Sequence, residues 1–109
     1  MTFDEGLAQR IRDQISDRDD FEEKRMFGGI GFLLRGNMAC GVNKEDLIIR
    51  VGPDYYQEAL SSPNVKEFDM TGRAMTGWIV VTGAGYQKDA DLEDWVGRGV
   101  AFALTLPAK

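Results

Sequence analysis

The chain contains no histidine. That absence excludes Ser-His-Asp and Cys-His catalysis, imidazole acid–base chemistry and the common zinc and iron sites. It contains one cysteine, Cys40. A lone cysteine makes no intramolecular disulfide and no thiolate cluster, and it fits a reducing compartment. No apolar run approaches the roughly 20 residues needed to span a bilayer. The opening stretch, Met1-Thr2-Phe3-Asp4-Glu5-Gly6-Leu7, has neither a basic start nor an apolar segment, so no secretory leader is expected. These absences point to a cytoplasmic protein with no catalytic residues, no metal and no cofactor.

Basic charge is scarce as well. The net charge is −5, and residues 1–23 carry all of it, with eight acids against three bases. Residues 24–109 balance at ten of each sign. Binding to a phosphate backbone depends on counterion release by a basic surface. Neither direct nucleic-acid binding nor adsorption to an anionic membrane is expected.

What is present suffices for one domain. The 109 residues are 43% apolar, enough for a single core without disulfides or metals. Leu7, Ile11 and Ile15 recur every four residues, with Ala8 beside them, and predict a helix over 3–17. Thr2 followed by Glu5 matches a capping box, which makes Thr2 the expected N-cap. Short apolar segments then alternate with turn residues from Phe21 to Val51. Their short connections predict four antiparallel strands, with Gly36-Asn37 as a hairpin turn. Pro53 is placed to open a short helix from Asp54 to about Ser61. Val65–Asp69 reads as an edge strand and Trp78–Thr82 as a buried one. Leu92, Val96, Val100 and Ala103 form the stripe of a last helix over about 89–106, whose early acids suit the helix dipole.

The expected fold is α+β, a two-layer sandwich over residues 1–109. It has a mainly antiparallel sheet of five or six strands and three helices, in the order α-β-β-β-β-α-β-β-α.

Several motifs suggest chemistry and fail on inspection. Gly28-Gly29-Ile30-Gly31 resembles a phosphate loop, but an apolar strand follows it where a helix is required. A turn or bulge needing positive φ or close backbone approach is the expected role. The acids from Asp89 to Asp94 lack the central glycine and the distal glutamate of a calcium loop. Asp19-Asp20 and Glu22-Glu23 lie in a run too polar to raise a carboxylate pKa. Cys40, between Ala39 and Gly41, reads as a small buried hydrophobe.

Arg25, Arg35, Arg50 and Arg73 fall at strand ends or in turns. The structural expectation is pairing with nearby acids such as Asp69 or Glu67. The functional expectation is that Arg25, Arg50 and Arg73 share one concave patch that binds a carboxylate, a phosphate or a protein partner.

The string Lys24-Arg25-Met26-Phe27-Gly28-Gly29-Ile30-Gly31-Phe32 resembles the opening motif of the N-terminal domain of the TfoX/Sxy competence regulators. Gly36-Asn37-Met38 resembles the family's hairpin, and Leu47-Ile48-Ile49-Arg50-Val51-Gly52 its next strand. Gly72-Arg73-Ala74-Met75-Thr76-Gly77-Trp78 resembles the connector into the buried strand. Asp91 to Trp95 and Ala101 to Ala103 resemble its last helix. The likeness covers residues 20–107.

The resemblance implies a fold similar to that of type III secretion chaperones, which are protein-binding dimers. It implies a non-enzymatic regulatory or protein–protein interaction module that forms a homodimer and binds a protein partner. The full regulators carry a second helical domain, whereas this chain ends at Lys109, so a stand-alone member is expected. The alternative is a small anionic-ligand binding domain that uses the strand-end arginines.

Overall fold

The computed structural model describes residues 3–26, 28–69, 72 and 74–108. Its element order is α1 (Glu5–Ile15), β1 (Phe21–Met26), β2 (Gly29–Leu34), β3 (Asn37–Asn43), β4 (Asp46–Arg50), α2 (Tyr56–Leu60), β5 (Val65–Glu67), β6 (Trp78–Val81) and α3 (Asp89–Ala103). Short 3-10 turns at Pro53–Tyr55 and Gly83–Gly85 lead into α2 and follow β6. The six strands form one sheet in the order β1-β2-β3-β4-β6-β5, and every strand pair is antiparallel. One isolated parallel bridge joins Phe3 to Lys44. The α+β fold expected from sequence is therefore the one observed.

The register decides which side chains share a face. Residues opposite one another in a sheet point the same way. Ile30, Val42, Leu47 and Val81 are one such row, and Phe32, Cys40, Ile49 and Ile79 are another. Both rows lie under the helices. They pack with Leu7, Ile11 and Ile15 of α1, Ala59 of α2, and Leu92, Trp95 and Val96 of α3 in the main core. The opposite face carries a smaller cluster of Leu33, Met38, Ile48 and Val80. Phe68, Met75 and Trp78 cover it, so the connector between β5 and β6 closes that side of the sheet.

Local chemistry fixes the element ends. Thr2 lies outside the described residues, and the N-cap of α1 is Asp4, whose carboxylate accepts the Leu7 N–H at 3.1 Å. The helix is shorter than expected because capping at Asp4 leaves Phe3 free to join the bridge to Lys44. The β2–β3 turn is Arg35-Gly36, not Gly36-Asn37. Both turn residues have positive φ (52° and 84°), and Asn37 already pairs with Leu34. Such a two-residue turn matches the twist of its strands. Asn37 is buried because its amide donates to the Pro107 carbonyl at 2.9 Å. The two glycines after β1 act for two reasons. Gly28 turns at φ 73°, and a Cβ on Gly29 would run into the Val42 carbonyl. α3 ends at Ala103, before Leu106, and its stripe of Leu92, Val96 and Ala103 is buried.

Candidate functional site

The sheet does not bring Arg25 and Arg50 together. Arg25 lies on β1 in the row that runs through Ile30, Val42 and Leu47. Arg50 lies on β4, three strands across and three residues further along. At about 4.8 Å per strand and about 3.3 Å per residue, their backbones are roughly 17 Å apart. Arg73 lies outside the described residues. Among the described residues neither Arg25 nor Arg50 has a carboxylate partner. Each stacks on an aromatic ring instead. The Arg25 guanidinium lies 5.4 Å from the Phe3 ring centroid. Arg35 does pair with an acid, Asp20, at 3.2 Å.

Arg50 is the more enclosed of the two. Its guanidinium lies 5.1 Å from the Trp78 centroid and 5.3 Å from that of Phe102. Cation–π attraction replaces the missing counter-ion. Partial burial still penalises the charge and pulls the pKa of Arg50 below its ordinary value.

Phe102 joins Arg50 to an open cleft of about 630 Å³. One wall is Val51, Gly52, Asp54, Tyr55 and Glu58, and the other is Arg98, Ala101, Phe102 and Thr105 of α3 and the residues just after it. The chain builds this cleft by a sharp exit from β4. The Gly77 carbonyl accepts both the Val51 and Gly52 N–H groups, at 2.9 and 3.1 Å. Gly52 then turns at φ 87°, and a Cβ there would strike the Phe102 ring. Pro53 starts the 3-10 turn. The string Gly72 to Trp78 thus contributes three fixed parts. Met75 packs on the second cluster, Gly77 clamps the exit of β4, and Trp78 stacks on Arg50.

The rim of the cleft is charged and its floor is apolar. Arg98 reaches Asp94 at 3.3 Å and Glu58 across the cleft at 3.9 Å, and it stacks on Trp95 at 4.8 Å. Tyr55 stands at the mouth with 61% of its surface exposed, while its neighbour Tyr56 is buried. The Tyr56 hydroxyl faces Glu67 at 3.4 Å, and burial together with that carboxylate raises its pKa.

Sequence reasoning missed Tyr55, Glu58, Arg98 and Phe102. The signal for Tyr55 was available. Two adjacent tyrosines in one helical turn point about 100° apart, so only one can enter the core. Arg98 and Phe102, one helical turn apart, border the apolar stripe of α3.

The remaining candidates have structural roles. Cys40 is buried, and desolvation pushes its thiol up to about 12, so it stays protonated. Asp20 bridges Arg18 and Arg35, and Glu23 takes Arg12 at 2.8 Å. Asp89 of the last acidic run accepts from Arg10 at 3.0 Å. Among the described residues, no helix is long and apolar enough to cross a membrane.

No curated protein and no solved structure matches the chain. The family described as the TfoX N-terminal domain matches residues 13–103. That span runs from the last turn of α1 to the end of α3 and takes in both walls of the cleft, except Thr105. The chain belongs to the TfoX N-terminal domain family.

Proposed function

We propose that this domain is a non-enzymatic regulatory module that captures a segment of a protein partner in the cleft between Gly52–Glu58 and α3. The observation that carries the reading is Tyr55. It is a large, mostly exposed aromatic at the mouth of an apolar-floored cleft rimmed by Asp54, Glu58 and Arg98. Tyrosine and arginine beside an apolar pocket are the residues that dominate protein–protein binding energy. The cleft is wide enough to seat side chains of a peptide. The mixed charge of its rim suits a polar segment with one or two apolar anchors. Family membership supports a regulatory setting, and the chain's acidic balance argues against direct nucleic-acid binding.

The test is affinity capture from native lysate at physiological salt, with wild type beside Tyr55→Ala and Phe102→Ala. The reading requires a stoichiometric protein that wild type retains and both variants lose. Equal recovery by all three would place the partner elsewhere. No recovery by wild type would remove the reading.

One observation favours a second reading, a small anion bound at Arg50. Arg50 is partly buried and has no carboxylate partner among the described residues. A carboxylate or phosphate in excess would then raise the melting temperature. No shift across phosphates, nucleotides and dicarboxylates would end that reading.

A further inference from the structure

The sheet has two edges, and they differ. β5 is only three residues long. β1 has six residues, of which Glu22, Glu23, Lys24 and Arg25 are exposed. Short strands and charges both discourage edge pairing. The charges on β1, however, are arranged in a way that suits one partner.

Hydrogen-bond phase shows which groups face outward. The Arg35 N–H donates to the Asp20 carbonyl at 2.9 Å. The β1–β2 register begins at Phe21–Leu34; continued by one residue it sets Asp20 opposite Arg35, and their hydrogen bond marks that position as a hydrogen-bonded pair. Alternate residues repeat the pattern. Glu22 and Lys24 therefore point their backbone groups at β2, while Phe21, Glu23 and Arg25 point theirs away from the sheet.

We propose that a second copy of this chain pairs with that free edge, β1 antiparallel to β1 about a two-fold axis at Glu23, and makes one continuous twelve-stranded sheet. A two-fold perpendicular to the sheet keeps the helix layers of both copies on the same side. It requires a residue to lie opposite either itself or a residue an even number of positions away. Centred on Glu23, all three outward-facing residues find partners: Glu23 with Glu23 of the other copy, and Phe21 with Arg25 in both directions. The intervening pairs are Glu22 with Lys24, twice over. These are non-hydrogen-bonded pairs, in which side chains approach most closely. The one like-charge contact, between the two Glu23 carboxylates, is neutralised within each copy, because Arg12 already holds Glu23 at 2.8 Å. This interface goes beyond the cleft reading and does not depend on it.

The experiment is sedimentation of the full chain over a concentration series, with circular dichroism as a fold control. Wild type should run at twice the chain mass of 12.2 kDa. Lys24→Glu and Glu22→Lys each convert two attractive pairs to repulsive ones and should weaken the dimer about tenfold or more. The double variant Glu22→Lys/Lys24→Glu restores opposite charges and should restore the dimer. Glu23→Cys places two thiols about 5.5 Å apart between Cα atoms, within disulfide range. It should oxidise to a covalent dimer, while Asp91→Cys, exposed on α3, should not. Buried Cys40 will not interfere. A monomer at millimolar concentration would overturn the proposal. A dimer indifferent to the single charge reversals, or a Glu23→Cys variant that does not cross-link, would also overturn it.

Discussion

The guanidinium of Arg50 rests on the indole of Trp78, 5.1 Å from its centroid, with Phe102 packed at a similar distance. The three side chains come from β4, β6 and α3, so the stack ties both sheet and helix to the cleft wall. Arg50→Ala should lower stability by about 1–2 kcal/mol in a urea titration. Arg50→Lys should recover only part of that, because an ammonium group does not stack as a planar guanidinium does. Full recovery by lysine would mean that charge alone matters there.

Gly52 and Phe102 should be energetically coupled. Gly52→Ala forces a side chain into positive φ and against the Phe102 ring, with an expected cost of about 1–3 kcal/mol or more. In Gly52→Ala/Phe102→Ala the steric part disappears and only the backbone strain remains. A double-mutant cycle should therefore be non-additive. Strict additivity would show that the ring does not confine Gly52.

These two predictions mark what could be read from the sequence. The α3 stripe of Leu92, Val96 and Ala103 is buried because a 3.6-residue repeat leaves one face for the core. The hairpins were legible from glycine and short spacing, although the β2–β3 turn lies one residue earlier than expected. Arg35 adopts positive φ there, a conformation that its identity does not advertise. The cleft was not legible. It depends on Gly77 accepting from Val51 and Gly52, a contact between residues about 25 positions apart. Arg25 and Arg50 do lie at strand ends and Arg35 in a turn, but sequence adjacency to a turn does not say which end of the sheet the turn occupies. Arg25 and Arg50 lie toward opposite ends.

High pH should destabilise the fold in a defined window. The Cys40 thiol ionises near its ordinary value in the unfolded chain but only at about 12 when folded. The unfolded state thus holds fewer protons between about pH 9 and 12, and stability falls as pH rises through that range, by up to about 1.4 kcal/mol per unit. Tyr56 and Tyr86, also raised by burial, add to the loss at the upper end. Cys40→Ala should flatten the first part of the decline. Native protein should not react with a thiol reagent at pH 8, and unfolded protein should. Rapid native labelling would contradict the burial of Cys40.

Low pH acts on Asp20. Hydrogen bonds from Arg18, and then from Arg35, hold its carboxyl below the ordinary value. Its contribution is present above the unfolded pKa of about 4 and is lost as pH falls through the lower folded value. Asp20→Asn should be slightly less stable at neutral pH and should show a shallower acid transition. An unchanged acid profile would mean that solvent screens the Asp20 contacts.

The central claim is that the cleft beside Tyr55 engages a protein segment. Its most direct test replaces Tyr55 with a photo-reactive phenylalanine analogue in living cells, with the same analogue at exposed Asp91 as the control. Tyr55 is mostly exposed, so the replacement should change stability by less than about 0.5 kcal/mol. The account predicts a discrete adduct to a different protein from position 55, absent from position 91 and lost when Phe102→Ala is added. No adduct from position 55, or the same adducts from both positions, would contradict it.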